Sequence, residues 1–134
     1  MRGLCWRGLD ETERSMLEGE FEKEEIIEAL KEVEGNKAPG PDGFTMAYFQ
    51  KCWSVLEGDI LAFFKDFHSQ CVFEKSLNTT FLCLIPKKIN AVNIKDFCPI
   101  SLMGSLYKLL AKVLAHRLRG VLDKLISDSQ NSFV

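Results

Sequence analysis

From Glu22 onwards the chain mixes apolar and acidic positions with a helical period. Ile26, Ile27, Leu30 and Val33 fall on one face with Ala29 beside them, and Glu24, Glu25, Glu28, Lys31 and Glu32 cover the other. Phe21 and Ile26 have the spacing of a hydrophobic staple, and acids in the first turn suit the positive end of the helix dipole. Gly35 and Asn36 are the expected stop. A second helical pattern opens with Thr45 as cap and places Met46, Phe49, Trp53 and Leu56 on one face. Gly58 is the expected interruption, after which Ile60, Leu61, Phe64 and Phe67 continue the apolar face towards His68.

The period changes after Asn78. Thr79 to Ile85 is short, β-branched and aromatic, closes on Pro86, and reads as a strand; Phe97 to Leu102 reads as another. The lysine- and asparagine-containing stretch 87–96 between them makes a hairpin with a long loop, and Pro99 assigns the second strand to an edge. A long helix is predicted from about Ser105, with Leu106, Leu109, Leu110, Val113, Leu114 and Leu118 as its apolar stripe and Gly120 as a kink. Arg117 falls inside that stripe, so it either snorkels past it or pairs with a carboxylate that the pattern does not identify. Residues 1–20 carry little pattern and read as a loosely structured lead-in. The fold class expected is α+β, mostly helical, with a two-stranded antiparallel β-hairpin.

A chain of 134 residues with 46% hydrophobic content supports one globular domain or part of a larger one. The net charge of −2 is uninformative, but its distribution is not. Asp10 to Glu34 holds eleven acids and three bases, and Lys75 to Lys124 nine bases and two acids. That segregation permits a polyanion partner for the second half, and it equally describes an ordinary dipolar surface. Cysteines at 5, 52, 71, 83 and 98 form no C-x-x-C pair, and His68 and His116 supply no zinc-ligand spacing. A reduced, intracellular compartment fits them best, as packing thiols. The chain shows no signal-peptide pattern and no apolar run of the ~20 residues that would span a bilayer.

Few residues offer chemistry. Ala38-Pro39-Gly40-Pro41-Asp42-Gly43 lacks P-loop spacing; by itself it is a rigid turn, with Lys37 beside it as a cation for a nucleic-acid strand. Lys87, Lys88 and Lys95 in the hairpin loop either neutralise phosphates or are simply solvated. Asp123 and Asp128, the acids that follow Asp96, form no metal-binding pair, and neither histidine sits in a nucleophile constellation.

Three segments together resemble LINE-type (non-LTR) retrotransposon reverse transcriptases, in the style of plant members. Asn36-Lys37-Ala38-Pro39-Gly40-Pro41-Asp42-Gly43-Phe44 is similar to the family's first block. Leu84-Ile85-Pro86-Lys87-Lys88 with Asp96-Phe97-Cys98-Pro99-Ile100-Ser101-Leu102 is similar to the second. The run from Leu106 to Leu118, ending in Ser129-Gln130-Asn131-Ser132-Phe133-Val134, is similar to the approach to the palm. The likeness spans residues 17–134 in the family's order and spacing, and it implies a partial reverse transcriptase domain over 21–134, comprising the fingers and the beginning of the palm.

The resemblance also implies roles. Asn36, Lys37, Ala38, Pro39, Gly40, Pro41, Asp42 and Gly43 would line the template path. Lys87 matches the hairpin lysine that meets the incoming nucleotide, and Lys88 and Lys95 are candidate further phosphate contacts. Cys98 stands at the family's arginine position, where it offers neither the planar fork of donors nor the permanent charge. The intact enzyme would use Mg²⁺ held by palm aspartates, an RNA template and a DNA primer. This chain has no Asp-Asp pair, so no cofactor is expected in it and the isolated chain is expected to be inactive. The alternatives are a nucleic-acid-binding remnant using the basic second half, and a helical interaction module that self-associates through apolar faces left bare. No membrane partner is expected.

Overall fold

A computed structural model describes residues 8–125. Among them the elements run α1 (Glu11–Glu18), α2 (Lys23–Glu32), α3 (Met46–Lys51), α4 (Trp53–Gln70), β1 (Thr80–Pro86), β2 (Phe97–Met103) and α5 (Ser105–Leu125), with a 3-10 turn at Ile94–Asp96. The fold is α+β, helical apart from a single antiparallel two-stranded sheet. Residues 1–7 and the Ser129–Val134 segment lie outside the described residues.

Three helix boundaries differ from the expected ones. Residues 11–18 are helical rather than loosely structured, because Asp10 and Glu13 form a reciprocal capping box: the Glu13 N–H donates to Asp10 Oδ1 at 2.7 Å and the Asp10 N–H to Glu13 Oε2 at 3.0 Å. The second helical pattern breaks at Cys52 (φ −99°, ψ 18°) and runs unbroken through Gly58. The break lets Met46 and Phe49 of α3 reach the same core as Ile60 and Phe64 of α4. Helix α5 likewise continues through Gly120, whose missing Cβ leaves room for the Met16 side chain of α1.

The core joins four helices. Ile26, Ala29 and Leu30 of α2, Met46 and Phe49 of α3, Ile60 and Phe64 of α4, and Leu109, Leu110 and Val113 of α5 are all buried. Each of the larger ones contributes about 1.5–3 kcal/mol of burial. An aromatic chain extends this core: Phe21 meets Phe64 edge-on at 5.1 Å, Phe63 meets Phe64 at 5.5 Å, and Phe73 meets Tyr107 at 5.6 Å. The central part of the α5 stripe is therefore occupied, not bare. Leu118 is half exposed, and the inward line instead passes from Val113 through Arg117 to Val121.

Much of the exposed apolar surface lies in the hairpin. Pairing runs from Thr80↔Met103 to Pro86↔Phe97. The bond from the Lys87 N–H to the Asp96 carbonyl, 2.7 Å, sets the alternation of the ladder. Ile85↔Cys98 and Cys83↔Ile100 are then hydrogen-bonded pairs, whereas Pro86↔Phe97 and Leu84↔Pro99 are not. Both prolines thus sit where a missing N–H costs the ladder nothing, and Pro99 removes a donor from the outer edge of β2. Both faces of the ribbon remain open, with Phe81, Leu82, Leu84, Ile85 and Ile100 all exposed.

Side chains from one helix finish the carbonyl ends of another. Gln50 of α3 donates to the Leu30 and Val33 carbonyls at 2.9 and 2.8 Å. His68 of α4 lies 2.8 Å from the Glu18 carbonyl. Arg117 does the most. It is only 9% exposed, yet every guanidinium nitrogen has a partner. Nε bonds the Glu25 carboxylate, Nη1 the Leu17 and Gly19 carbonyls, and Nη2 the Glu20 carbonyl at 2.8 Å and Glu25 Oε1 at 2.8 Å. The Phe21 ring lies 4.2 Å beneath the guanidinium carbon. The carboxylate left unidentified by the sequence pattern is therefore Glu25. Arg117→Ala should lower stability in urea by about 1.5–3 kcal/mol, the scale of the charge-assisted hydrogen bonds lost when a buried guanidinium is removed from half-buried partners. Glu25→Gln should cost clearly less, since the carbonyl bonds survive. Equal stability of Arg117→Ala and the parent chain would refute this role.

Candidate functional site

The Pro-Gly loop is built from the inside. The Gly43 N–H donates to the Gly40 carbonyl at 3.0 Å, closing a turn with Pro41 at the position that favours proline. Gly43 has φ +73°, a conformation that side chains resist. Gly40 is needed for a different reason. A Cβ there would lie 2.4 Å from the Met103 carbonyl carbon and oxygen and 2.6 Å from the Gly104 nitrogen. The loop therefore packs backbone against backbone on the corner between β2 and α5.

Asp42 completes that contact. Its Oδ2 accepts the Ser105 N–H at 2.6 Å, and its Oδ1 accepts the Phe44 N–H at 3.3 Å. The buried Ser105 hydroxyl donates back to the Phe44 carbonyl at 2.7 Å. Lys108 Nζ reaches the Ala38 carbonyl at 3.2 Å. Asp42 thus acts as the cap of α5 from across the chain, supplying an acceptor and a negative charge at the helix start. A cleft of about 210 Å³ lies beside this junction, lined by Pro41, Asp42, Ser76, Leu77, Gly104 and Tyr107 among others.

Of the expected template-path residues, Gly40 is buried and Pro39 and Pro41 are half-buried, while Asn36, Lys37, Ala38, Asp42 and Gly43 are exposed. Lys37 pairs with Glu34 at 3.4 Å, with both side chains well exposed.

The hairpin loop is organised by Asp96. Its carboxylate accepts from the Asn93 and Val92 N–H groups at 3.2 and 3.4 Å and pairs with Lys88 at 2.8 Å. Lys88 is therefore engaged within the loop. Lys87 Nζ lies 3.5 Å from the Lys95 carbonyl, and Asn90 takes a left-handed conformation at the tip. Cys98 is exposed on β2 opposite Ile85. Strand alternation puts Lys87 and Cys98 on one face of the ribbon, as diagonal neighbours. The Pro-Gly loop meets the other end of β2, at Met103, roughly 20 Å away along the strand. The candidate residues thus form two stations at opposite ends of one hairpin. The cross-chain partners Gly104 and Ser105 had no local signal, since 63 positions separate Ser105 from Asp42. Among the described residues no group of three or more His, Cys, Asp or Glu side chains is gathered as a metal site, and no helix is long and apolar enough to cross a membrane. Cys52, Cys71, Cys83 and Cys98 are free thiols.

A latched turn and a projecting basic hairpin on a helical core define an α+β module with two exposed polar stations. The chain is similar to the uncharacterized 149 kDa protein of transposon TX1 from Xenopus laevis, with 33% identity over 129 residues, or 94% of this chain and 10% of that protein. It is thus related to a transposon-encoded protein, of whose length it spans about a tenth. No protein-family model matches it.

The Lys88 ammonium, first among the causes, and then the loop N–H groups hold the Asp96 carboxyl below the usual aspartate range, against an opposing effect of desolvation. A depressed carboxylate stabilises the folded loop above the unfolded pKa of about 3.9, and that contribution is lost as pH falls through the lower, folded value. By NMR titration, Asp96 should titrate below a peptide aspartate and the Asn93 amide should shift with it. Lys88→Met should move the midpoint up. An unchanged midpoint in Lys88→Met would show that the pair does not form in solution.

Proposed function

We propose that this chain is the fingers and the beginning of the palm of a LINE-type reverse transcriptase, contributing nucleotide and template contacts to RNA-templated DNA synthesis. The observation that carries the reading is the shared face of Lys87 and Cys98. A triphosphate lying on that face would meet the Lys87 ammonium and whatever side chain stands at position 98. The likeness to a transposon-encoded protein supports the transposon origin that this reading requires. The Pro-Gly loop, with its rigid backbone and exposed Asn36, Lys37 and Ala38, would serve the template strand.

Phosphoryl transfer of this kind relies on metal ions that activate the attacking oxygen and stabilise the leaving one. The described residues do not fit Mg²⁺, since no group of three or more His, Cys, Asp or Glu side chains is gathered among them. Their role is to position substrates. Burial of the central α5 stripe weighs against a helical interaction module built on that face.

The test is a graft. Residues 36–118 are placed in an active relative and single-nucleotide incorporation is compared for Cys98 and Cys98→Arg. Arginine adds a charge-assisted contact of about 1.5–3 kcal/mol, or roughly 10- to 150-fold in kcat/KM, at every template base. Lys87→Ala on that background should cost a similar factor. Equal incorporation by both versions at subsaturating nucleotide would remove the hairpin from the nucleotide site.

A further inference from the structure

Beside the Pro-Gly loop stands an aromatic pair that the core does not use. Phe44 and Tyr48 stack with ring centroids 4.8 Å apart and an interplanar angle of 22°. Phe44 is 47% exposed and Tyr48 41%. The two rings stack on each other and stay about half exposed, outside the buried core that includes Phe49.

Phe44 is also held unusually firmly for an exposed loop residue. Its N–H donates to Asp42 and its carbonyl accepts from Ser105, so the backbone is fixed on both sides. Gly43 before it takes the left-handed conformation that turns the chain there. Tyr48 is held by α3, and its other edge meets Phe49 at 6.2 Å. The pair is therefore preorganised, and binding to it would order few further torsions.

The surroundings suit a polyanion with planar groups. Lys51 follows Tyr48 by one helical turn and is exposed. Lys37 stands in the same loop as Phe44. The nearby Asp42 carboxylate is occupied by the Ser105 and Phe44 amides, and Lys37 shares a well-exposed ion pair with Glu34 that a phosphate would have to displace, which leaves Lys51 as the second cation beside the rings. Flat aromatic faces with adjacent cations are the combination that binds single-stranded nucleic acid, where bases stack and lysines follow the backbone.

We propose that Phe44 and Tyr48 form a stacking platform for an unpaired base of a single-stranded nucleic acid passing the Pro-Gly loop. The inference rests on the reading of that loop as facing a template, and it adds the residues that grip a base rather than a phosphate. Stacking is tolerant of sequence, so the platform holds any base without reading it.

The test uses the full chain and a fluorescein-labelled single-stranded RNA of mixed sequence, with an abasic oligonucleotide of the same length as its comparison. Anisotropy titrations are run at several salt concentrations. Phe44→Ala and Tyr48→Ala should each weaken binding of the base-containing RNA by roughly 5- to 150-fold. They should leave the abasic oligonucleotide and the salt slope unchanged, because phosphate contacts set that slope. Phe44→Trp should retain binding. Phe44→Leu, which keeps apolar bulk for folding, should lose it while melting at the parent temperature. Equal losses on both oligonucleotides, or no loss on either, would overturn the platform while leaving nucleic-acid binding by the loop intact. No binding of either oligonucleotide by the parent chain at low salt would overturn both.

Discussion

The Asp42 carboxylate at the head of α5 is the contact on which the arrangement of the two stations depends. Helix α5 begins one residue after β2, and that residue is Gly104, which has no side chain to cap the helix. The exposed start of a 21-residue helix needs an acceptor. Asp42 supplies it from the Pro-Gly loop, and Ser105 returns a bond to the same loop. Because Gly40 touches the Met103 and Gly104 backbone without room for a Cβ, the loop has one seat. The loop's inner side is spent on this contact. Asn36, Lys37, Ala38 and Phe44 are exposed and take no part in that contact through their side chains, so they are left to meet a ligand.

The helical body keeps that corner in place by a related economy of polar groups. Helix ends leave carbonyls without partners, and here side chains of other helices bond several of them. Gln50 joins the end of α2 to α3, His68 joins the end of α1 to α4, and Arg117 joins the stretch after α1 to α5. Glu32 of α2 meets two side chains of α5, the Lys112 ammonium at 3.2 Å and the His116 ring nitrogen at 2.8 Å, and its carboxyl is held below the usual range by Lys112 first and His116 next. These bonds tie neighbouring elements pairwise, so loss of one loosens two. The hairpin has no such ties beyond its base. It projects with both apolar faces open, and an isolated two-stranded ribbon is only marginally stable in water.

The periodic elements were legible because their cause is local. Apolar spacing located α2 and α5, and a short β-branched and aromatic run closed by Pro86, with a second run from Phe97 to Leu102, located the hairpin. The Asp10-x-x-Glu13 capping signature was also present, but its helix exposes most of its surface and lacks an apolar stripe, so periodicity passed over it. The break at Cys52 follows from packing of α3 and α4 on a shared core, which no residue type near it announces. The same limit applies to the site. Lys87 and Cys98 share a face because of a register that turn chemistry alone did not specify. Gly40 serves close approach to the Met103 and Gly104 backbone, which the turn pattern around it does not reveal. Arg117 was visibly misplaced in an apolar stripe, but its carboxylate lies 92 positions away.

The account's central claim is that Asp42 locks the Pro-Gly loop to the β2–α5 corner. Amide hydrogen exchange measured by NMR on the parent chain and on Asp42→Ala tests it directly. Removing the carboxylate should cost about 0.5–2 kcal/mol, as loss of a helix cap does. Exchange at Ser105 should accelerate correspondingly, and exchange at Gly43, whose partner is the Gly40 carbonyl, should accelerate with it. Amides around Arg117, three turns further along α5, should keep their protection. Unchanged exchange at Ser105, or a change at Gly43 without one at Ser105, would contradict the lock.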